Sequence, residues 1–260
     1  MGVWEVPPQE NTVSDAHYDE IAERYEDVLF YDPDSPYHRW LVGRALAHLA
    51  LSPSHRLADI GGGAGAFALE LAAAAELREP VLVVEPSAGL SERAIEREGL
   101  VVEALDAEAF ARQEGPRLDR ILMKEVVHHL DPERLDVLYQ GLYARLAPGG
   151  RLVTITRPLD PPYPLFAAAR EVWRRNQPPA ELFADAMGRA GFGLERHDER
   201  YPLEVERDTW LAMIGRRFWS TFSAFDDEAL AAGIAELRAA HAAGPLRFDD
   251  HLIVLVAERL

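Results

Sequence analysis

Asp59-Ile60-Gly61-Gly62-Gly63-Ala64-Gly65 is the stretch that decides the fold of this 260-residue chain. It overlaps the end of the apolar run at 57–60 and is followed directly by a helical pattern that begins at Ala66. Glycines between a strand and a helix allow positive φ angles, and they let the backbone approach a ligand beside the free N–H groups of the helix. The stretch therefore predicts a nucleotide-binding loop.

Short apolar runs alternate with helical patterns on both sides of this loop. The runs predict strands at 57–60, 81–85, 100–103, 119–124 and 151–156, separated by helical patterns at 66–78, 87–98, 106–113 and 132–146. Later segments predict helices near 165–175 and 179–190, a strand at 194–206, a helical stretch at 208–241 and a last strand in 251–260. Such alternation is typical of parallel strands joined by helical crossovers, so we expect a doubly wound α/β sheet of about seven strands.

We expect residues 1–260 to form a single domain, because 48% of them are hydrophobic and can bury a core of this size. The expected parts are an N-terminal helical cap, a cofactor-binding core and two helical insertions that shape a substrate pocket or lid. They lie at 15–50, 57–157, 158–193 and 208–243.

Acidic side chains dominate the composition. The chain has 44 Asp+Glu against 27 Lys+Arg, a formal net charge of −17, and no cysteine. Nucleic acid is not an expected partner, because binding phosphates needs a basic surface. No metal is expected either, since cysteine, H-E-x-x-H and carboxylate clusters with ligand spacing are missing. The first residues lack a signal-peptide pattern and no apolar run is long enough to span a membrane, so we expect a cytoplasmic protein.

The glycine loop alone leaves the ligand open. Gly61, Gly63 and Ala66 satisfy G-x-G-x-x-G/A, and Glu85 ends the second predicted strand, as in a dinucleotide-binding fold. An NAD-dependent oxidoreductase is therefore one alternative, although neither a Tyr-x-x-x-Lys motif nor a separate substrate domain is visible. A non-catalytic protein that binds the same cofactor is another.

Further motifs favour a methyltransferase. Asp59 precedes the first glycine by two positions, where its carboxylate can reach a cationic aminoacyl group. Asp106-Ala107 follows the third predicted strand, where a carboxylate can accept a hydrogen bond from an adenine amino group. VVHHL at 126–130 follows the fourth strand, and LAPGG at 146–150 introduces the fifth.

Together with YDEIAERY at 18–25, these motifs make the chain resemble the class I S-adenosylmethionine-dependent methyltransferases of the small-molecule type. The resemblance covers about residues 15–157 by motif. It implies a seven-stranded, mostly parallel Rossmann-like sheet whose last strand runs antiparallel between strands five and six. It also implies S-adenosyl-L-methionine as the cofactor.

The resemblance assigns roles to individual residues as well. The glycine loop would hold the methionine part of the cofactor, Glu85 the ribose hydroxyls, and Asp106 with the Ala107 N–H the adenine, while Tyr18 and Tyr25 would cover it. The expected cofactor-binding residues are Tyr18, Tyr25, Asp59, Gly61, Gly62, Gly63, Gly65, Glu85, Pro86, Asp106, Ala107 and Lys124.

Three residues after the fourth strand are candidates for catalysis. Transfer of a methyl group aligns a nucleophile with the methyl carbon and, for some acceptors, removes a proton, for which histidine is a suitable base. Neighbouring side chains cannot both face one ligand, so we favour His128 over His129 on the substrate side. Glu125 is a second candidate base or a partner for a cationic acceptor. The alternative is that both histidines only cap the turn.

The acceptor is expected to be a small molecule, methylated on oxygen or nitrogen, in a pathway such as secondary metabolism. Arg157 ends the fifth strand and could hold an acceptor carboxylate or phosphate, or simply be a solvated cap. Trp210, Phe218 and Trp219 in the last insertion are either core or part of an aromatic lid over the substrate. We expect a monomer or a homodimer.

Overall fold

The computed structural model describes residues 35–260, so Tyr18 and Tyr25 lie outside the described residues. The helices are α1 (Pro36–Leu49), α2 (Ala66–Ala74), α3 (Ala88–Ile95), α4 (Ala107–Arg112), α5 (Leu135–Arg145), α6 (Ala167–Asn176), α7 (Ala180–Arg189), α8 (Arg207–Gly215) and α9 (Asp227–Ala240). The strands are β1 (Leu57–Ile60), β2 (Val81–Val84), β3 (Leu100–Glu103), β4 (Leu118–Lys124), β5 (Leu146–Thr156), β6 (Phe192–Glu206) and β7 (Pro245–Arg259). Short 3₁₀ turns occupy Val127–His129, Pro132–Arg134 and Ser220–Ala224.

The strands form a seven-stranded sheet in the order β3-β2-β1-β4-β5-β7-β6. The pairs among β1 to β5 are parallel, and β7 runs antiparallel to both β5 and β6. The predicted fold class, with an antiparallel last strand between the fifth and sixth, is confirmed. Because the strand order reverses between β1 and β4, the carboxyl ends of these strands form the edge where ligands bind in such sheets.

Helices cover both faces of the sheet. Leu57 of β1 and Leu122 of β4 pack in one apolar cluster with α1, α2, α6, α8 and α9. Their neighbours Ala58 and Ile121 pack in a second cluster with α4, α5 and α7. This alternation follows from the two-residue period of a strand. It directs Asp59 and Lys124 toward the face that carries α1 and α2.

Two strands are longer than the sequence indicates. β5 begins at Leu146 instead of 151, and a register shift between Leu118 and Arg120 of β4 accommodates Pro148-Gly149-Gly150 as an irregularity inside the strand. β7 begins at Pro245, and it pairs with β6 from Glu206↔Pro245 to Phe192↔Arg259. The pairing of β7 with β5 begins at Ile253, so the part of the β6–β7 ribbon formed by residues 245–252 of β7 extends beyond β5.

The start of α1 is fixed by its own sequence. The Ser35 side chain accepts a hydrogen bond from the His38 N–H at 3.0 Å, and Pro36 occupies the first turn, where a missing N–H costs nothing. Tyr37 therefore lies in the first turn of α1 and is only 2% exposed. This cap determines which side chain of α1 faces the carboxyl edge of the sheet.

Gly141→Ala should destabilise the protein, because α5 crosses α4 in close contact at this glycine. A Cβ on Gly141 would lie 2.4 Å from the Ala111 carbonyl oxygen, which belongs to the backbone and cannot move alone. We expect a loss of about 1–3 kcal/mol in urea denaturation. As the matched control, a Cβ on helical Gly188 would have no atom of residues 35–260 within 4 Å outside its own helix backbone, so Gly188→Ala should stabilise by about 0.5–1 kcal/mol. Equal effects of the two substitutions would contradict this packing.

Candidate functional site

The glycine loop connects β1 to α2 in a tight turn. Gly61, Gly63 and Gly65 have φ angles of 70°, 57° and 77°, in the left-handed region that favours glycine. A Cβ on Gly61 would lie 2.5 Å from Val126, and one on Gly65 would lie 2.3 Å from Leu100, so these two are required by packing. A Cβ on Gly63 would have no atom of residues 35–260 within 4 Å apart from its chain neighbours. This side of Gly63 is therefore open in the described part of the chain, as close approach of a ligand requires.

Glu85 joins this loop to the end of β2. Its buried carboxylate accepts hydrogen bonds from the Gly63 N–H at 2.9 Å and from the Ser87 N–H, also at 2.9 Å. Ser87 in turn caps α3, while Pro86 between them is exposed. An acidic side chain therefore lies directly beside the open face of the glycine loop, with its charge held by two backbone donors.

Asp59 and Lys124 form a pair of opposite charges on neighbouring strands. Asp59 is 2% exposed; burial raises the pKa of its carboxyl from 3.8 to about 7, and Glu85 adds to the rise while Lys124 opposes it. Burial lowers the pKa of Lys124, which Glu125 and Asp59 partly restore. The Lys124 ammonium lies 5.0 Å from the centre of the Phe67 ring. Lys124 therefore compensates the negative charge of Asp59 only in part. A cationic group of a ligand would supply the remaining compensation.

Asp106 is the N-cap of α4. One of its carboxylate oxygens accepts a hydrogen bond from the Ala109 N–H at 2.6 Å, and the residue is exposed. Ala107 follows in the first turn of the helix and is 8% exposed. The structure thus explains the position of Asp106 by capping, and its role toward an adenine stays a prediction.

Glu125 follows β4 in an unusual backbone conformation. Its φ angle is 57°, which is costly for a residue other than glycine. The Glu125 N–H donates to the Ile155 carbonyl at 2.9 Å, and Oε2 accepts from the Arg157 Nε at 3.0 Å. Oε1 is buried and has no hydrogen-bond partner among residues 35–260. The carboxylate therefore has one oxygen held by a strand end and one that is unsatisfied.

Arg157 is the centre of a buried network that the sequence does not reveal. Its guanidinium donates to the carboxylate of Asp250 and to the hydroxyl of Tyr163, and Tyr163 also donates to Asp250. The second Asp250 oxygen accepts from the Tyr37 hydroxyl at 2.6 Å. Burial lowers the pKa of Arg157, but Asp250 and Glu125 raise it well above its usual value. Arg157 thus remains charged and is committed to neighbouring carboxylates.

His128 and His129 lie in the 3₁₀ turn after β4. Their ring centres are 4.0 Å apart with the planes tilted by 49°. Burial, with His129 and Arg157 adding to the effect, holds the pKa of His128 well below its usual value. The imidazole of His128 is therefore neutral near pH 7, and the same burial disfavours the imidazolium that forms when it takes up a proton. The choice of His128 as the base stays a prediction.

The aromatic residues of the last insertion pack mainly on one another. Trp210 is fully buried, and its indole N–H donates to the Pro164 carbonyl at 2.8 Å. Phe218 is 4% exposed and contacts both tryptophans. Trp219 is partly exposed, and its ring centre lies 5.5 Å from the Arg157 guanidinium carbon. Trp219 thus links this core to the charged network, whereas Trp210 and Phe218 fill the interior.

Neither a metal centre nor a membrane-spanning helix is found among residues 35–260. Within that range no group of three or more His, Asp or Glu side chains is arranged to hold a metal ion. No helix in the same range is long and apolar enough to cross a membrane.

Comparison with known proteins agrees with this architecture. Residues 58–152 match the family model of a methyltransferase domain, a segment that runs from β1 into β5 and contains the glycine loop. No curated protein sequence matches the chain.

Several solved structures share the fold. A cyclopropane synthase from Mycobacterium tuberculosis is 19% identical with a TM-score of 0.61, covering 96% of this chain and 98% of that one. A phosphoethanolamine N-methyltransferase from Haemonchus contortus is 17% identical with a TM-score of 0.63; the match covers 100% of this chain and 60% of that one. A geranyl diphosphate methyltransferase is 16% identical with a TM-score of 0.54, over 86% and 78% of the two chains.

The domain match and the sheet order both agree with the resemblance. Residues 58–152 match a methyltransferase domain, and the seven-stranded sheet has the strand order and the antiparallel last strand that the resemblance implies. The structural likenesses themselves, all below 20% identity, establish the fold.

Asp59→Asn should make the stability of the ligand-free protein less dependent on pH. Because burial raises the pKa of Asp59 to about 7, the carboxyl contributes full stability below its unfolded pKa of about 3.9, and that contribution is lost as pH rises through about 7. Asparagine does not ionise. The melting temperature of the variant minus that of the wild type should therefore increase by at least about 3 °C between pH 5 and pH 7.5.

The matched control is Asp185→Asn, which changes an exposed aspartate of α7. The melting temperature of this variant should differ from that of the wild type by the same amount at pH 5 and at pH 7.5. A constant difference for Asp59→Asn as well would show that Asp59 is ionised in the folded protein throughout this range.

Proposed function

We propose that this protein binds S-adenosyl-L-methionine at the carboxyl edge of β1, β2 and β4 and transfers its methyl group to a small-molecule acceptor. The observation that carries the proposal is the pairing of Gly63 with Glu85. The open backbone of Gly63 and the buried Glu85 carboxylate lie within one hydrogen bond of each other, 2.9 Å, beside the N-terminus of α2.

The residues present fit this cofactor chemically. Glu85 offers carboxylate oxygens to ribose hydroxyls, and the space at Gly63 allows the backbone to approach. Asp59, a buried carboxylate opposed only in part by Lys124, suits the ammonium of the aminoacyl group. When bound, the cofactor supplies a methyl group activated by a sulfonium. The H. contortus enzyme of the same fold has been solved with S-adenosylhomocysteine, which supports the assignment.

The residues that follow β4 and β5 would then form the acceptor side of the site. His128, kept neutral by burial, would accept a proton from the nucleophile, and Glu125 would contact the acceptor. The helices after β5 and β6 would close over it, with Trp219 beside Arg157. Methylation on oxygen or nitrogen is favoured over carbon, because a base and a carboxylate lie on the acceptor side.

Calorimetric titration of the purified chain with S-adenosylmethionine, S-adenosylhomocysteine and NAD tests the proposal. We expect both sulfur compounds to bind and NAD not to bind. Glu85→Ala should weaken both by about tenfold or more, because a charged hydrogen-bond acceptor is removed. Asp106→Ala should weaken them less, because Asp106 is exposed and solvent screens its charge, whereas Glu85 is buried.

The matched control is Glu92→Ala, an exposed glutamate of α3 close to Glu85 in the chain. It should leave both affinities unchanged. Binding of NAD alone would return the loop to the dinucleotide-binding alternative, and binding of the sulfur compounds without any turnover on a broad acceptor panel would favour a non-catalytic protein.

A further inference from the structure

A small cavity lies beside the Arg157 network, at the carboxyl ends of β4 and β5. It is lined by apolar side chains of α1, β5 and β7 and by three charged residues: Tyr37, Leu41, Lys124, Glu125, Ile155, Arg157 and Leu252. Lys124 connects this cavity to Asp59 and hence to the glycine loop. The cavity thus adjoins the cofactor site of the proposed function, on which the following inference rests.

Arg157 is the obvious anchor for an acidic acceptor in this cavity, yet its contacts argue against that role. Its guanidinium already bonds to two carboxylates, Asp250 and Glu125, and to the Tyr163 hydroxyl. Asp250 is fully buried, and breaking a buried ion pair to release the arginine would leave it without its counter-charge. A carboxylate or phosphate entering the cavity would therefore compete with two carboxylates already in contact with the same cation.

Glu125, in contrast to Arg157, lies in a group of charges that favours a cationic ligand. Two carboxylates share the Arg157 guanidinium, so the group carries one negative charge in excess. Tyr37 and Tyr163 add no charge to this group. Burial keeps the pKa of each phenol above its usual value, and Asp250 adds to the effect. The second oxygen of the Glu125 carboxylate is a strong hydrogen-bond acceptor that receives no hydrogen bond from the described part of the chain. The hydrogen bond from its backbone N–H to the Ile155 carbonyl fixes Glu125 at the end of β4, where it lines the cavity.

We propose that Glu125 binds the acceptor through its unsatisfied carboxylate oxygen, and that the acceptor is an amine, whose ammonium or N–H group donates to that oxygen. In this arrangement Arg157, Asp250 and the two tyrosines are positioning residues that hold the Glu125 carboxylate in place. Lys124 reduces the excess charge but points its ammonium over Phe67. Leu41, Ile155 and Leu252 line the same cavity, which has room for about one water molecule, so it takes the nitrogen of the amine and leaves the hydrocarbon part outside.

The test is binding of simple probes to the protein saturated with S-adenosylhomocysteine, followed by ligand-observed NMR. Ethylamine and benzylamine are compared with propionate, benzoate and phenyl phosphate. We expect the amines to bind and the three anions to bind at least about tenfold more weakly. Glu125→Gln, which removes the charge at constant size, should weaken benzylamine by about tenfold. Glu125→Asp should weaken it less, because the charge is kept.

The control variant is Glu133→Gln, an exposed glutamate in the next turn of the chain. It should bind benzylamine like the wild type. The affinity of the wild type and of each variant for S-adenosylhomocysteine is measured by calorimetry. Loss of this affinity would overturn the proposed function, and it is measured independently of amine binding.

With the cofactor site intact, three results would overturn the inference: anions that bind better than amines, no binding of any amine, or an unchanged amine affinity in Glu125→Gln. The first two are measured on the wild type and do not depend on the folding of a variant.

Discussion

Charge buried at the carboxyl edge of the parallel strands is the constraint on which the rest of this structure depends. Removing a carboxylate or a guanidinium from water costs several kcal/mol unless partners compensate for it. Asp250 obtains its compensation from Arg157, Tyr163 and Tyr37. The first two lie in the loop that follows β5, and the third lies in α1. The long β6–β7 ribbon and the capped start of α1 therefore bring together residues whose proximity does not follow from the local sequence.

The same edge also contains charges that are left partly uncompensated. Asp59 is buried beside Lys124, and one oxygen of Glu125 has no hydrogen-bond donor within residues 35–260. Such groups reduce stability, and proteins keep them where a ligand supplies the missing partner. Both lie near Lys124, one toward the glycine loop and one toward the cavity. The two sites are thus chemically alike, since each presents a carboxylate to a cationic or N–H-bearing group.

Sequence patterns are sufficient for the parts of the fold that local chemistry determines. The glycine loop follows from positive φ angles and close packing, and the parallel order follows from the alternation of strands and helices. The network around Asp250 cannot be found in this way, because Tyr37 and Asp250 are 213 residues apart in the chain. The start of β7 is not predicted either, because Arg247, Asp249 and Asp250 interrupt the alternation of apolar and polar residues that indicates a strand. Arg157 is a candidate from the sequence, but its partners depend on tertiary contacts.

Recognition of a cationic ligand group by the buried Asp59 is tested most directly by the pH dependence of two ligand affinities, measured by calorimetry from pH 6 to pH 8. S-Adenosylhomocysteine carries the aminoacyl ammonium, and 5′-methylthioadenosine lacks it. Because the pKa of Asp59 is raised to about 7, affinity for S-adenosylhomocysteine should increase by up to about tenfold over this range, while that for 5′-methylthioadenosine stays constant. Equal pH dependence of the two ligands would contradict a buried carboxylate that recognises a cation.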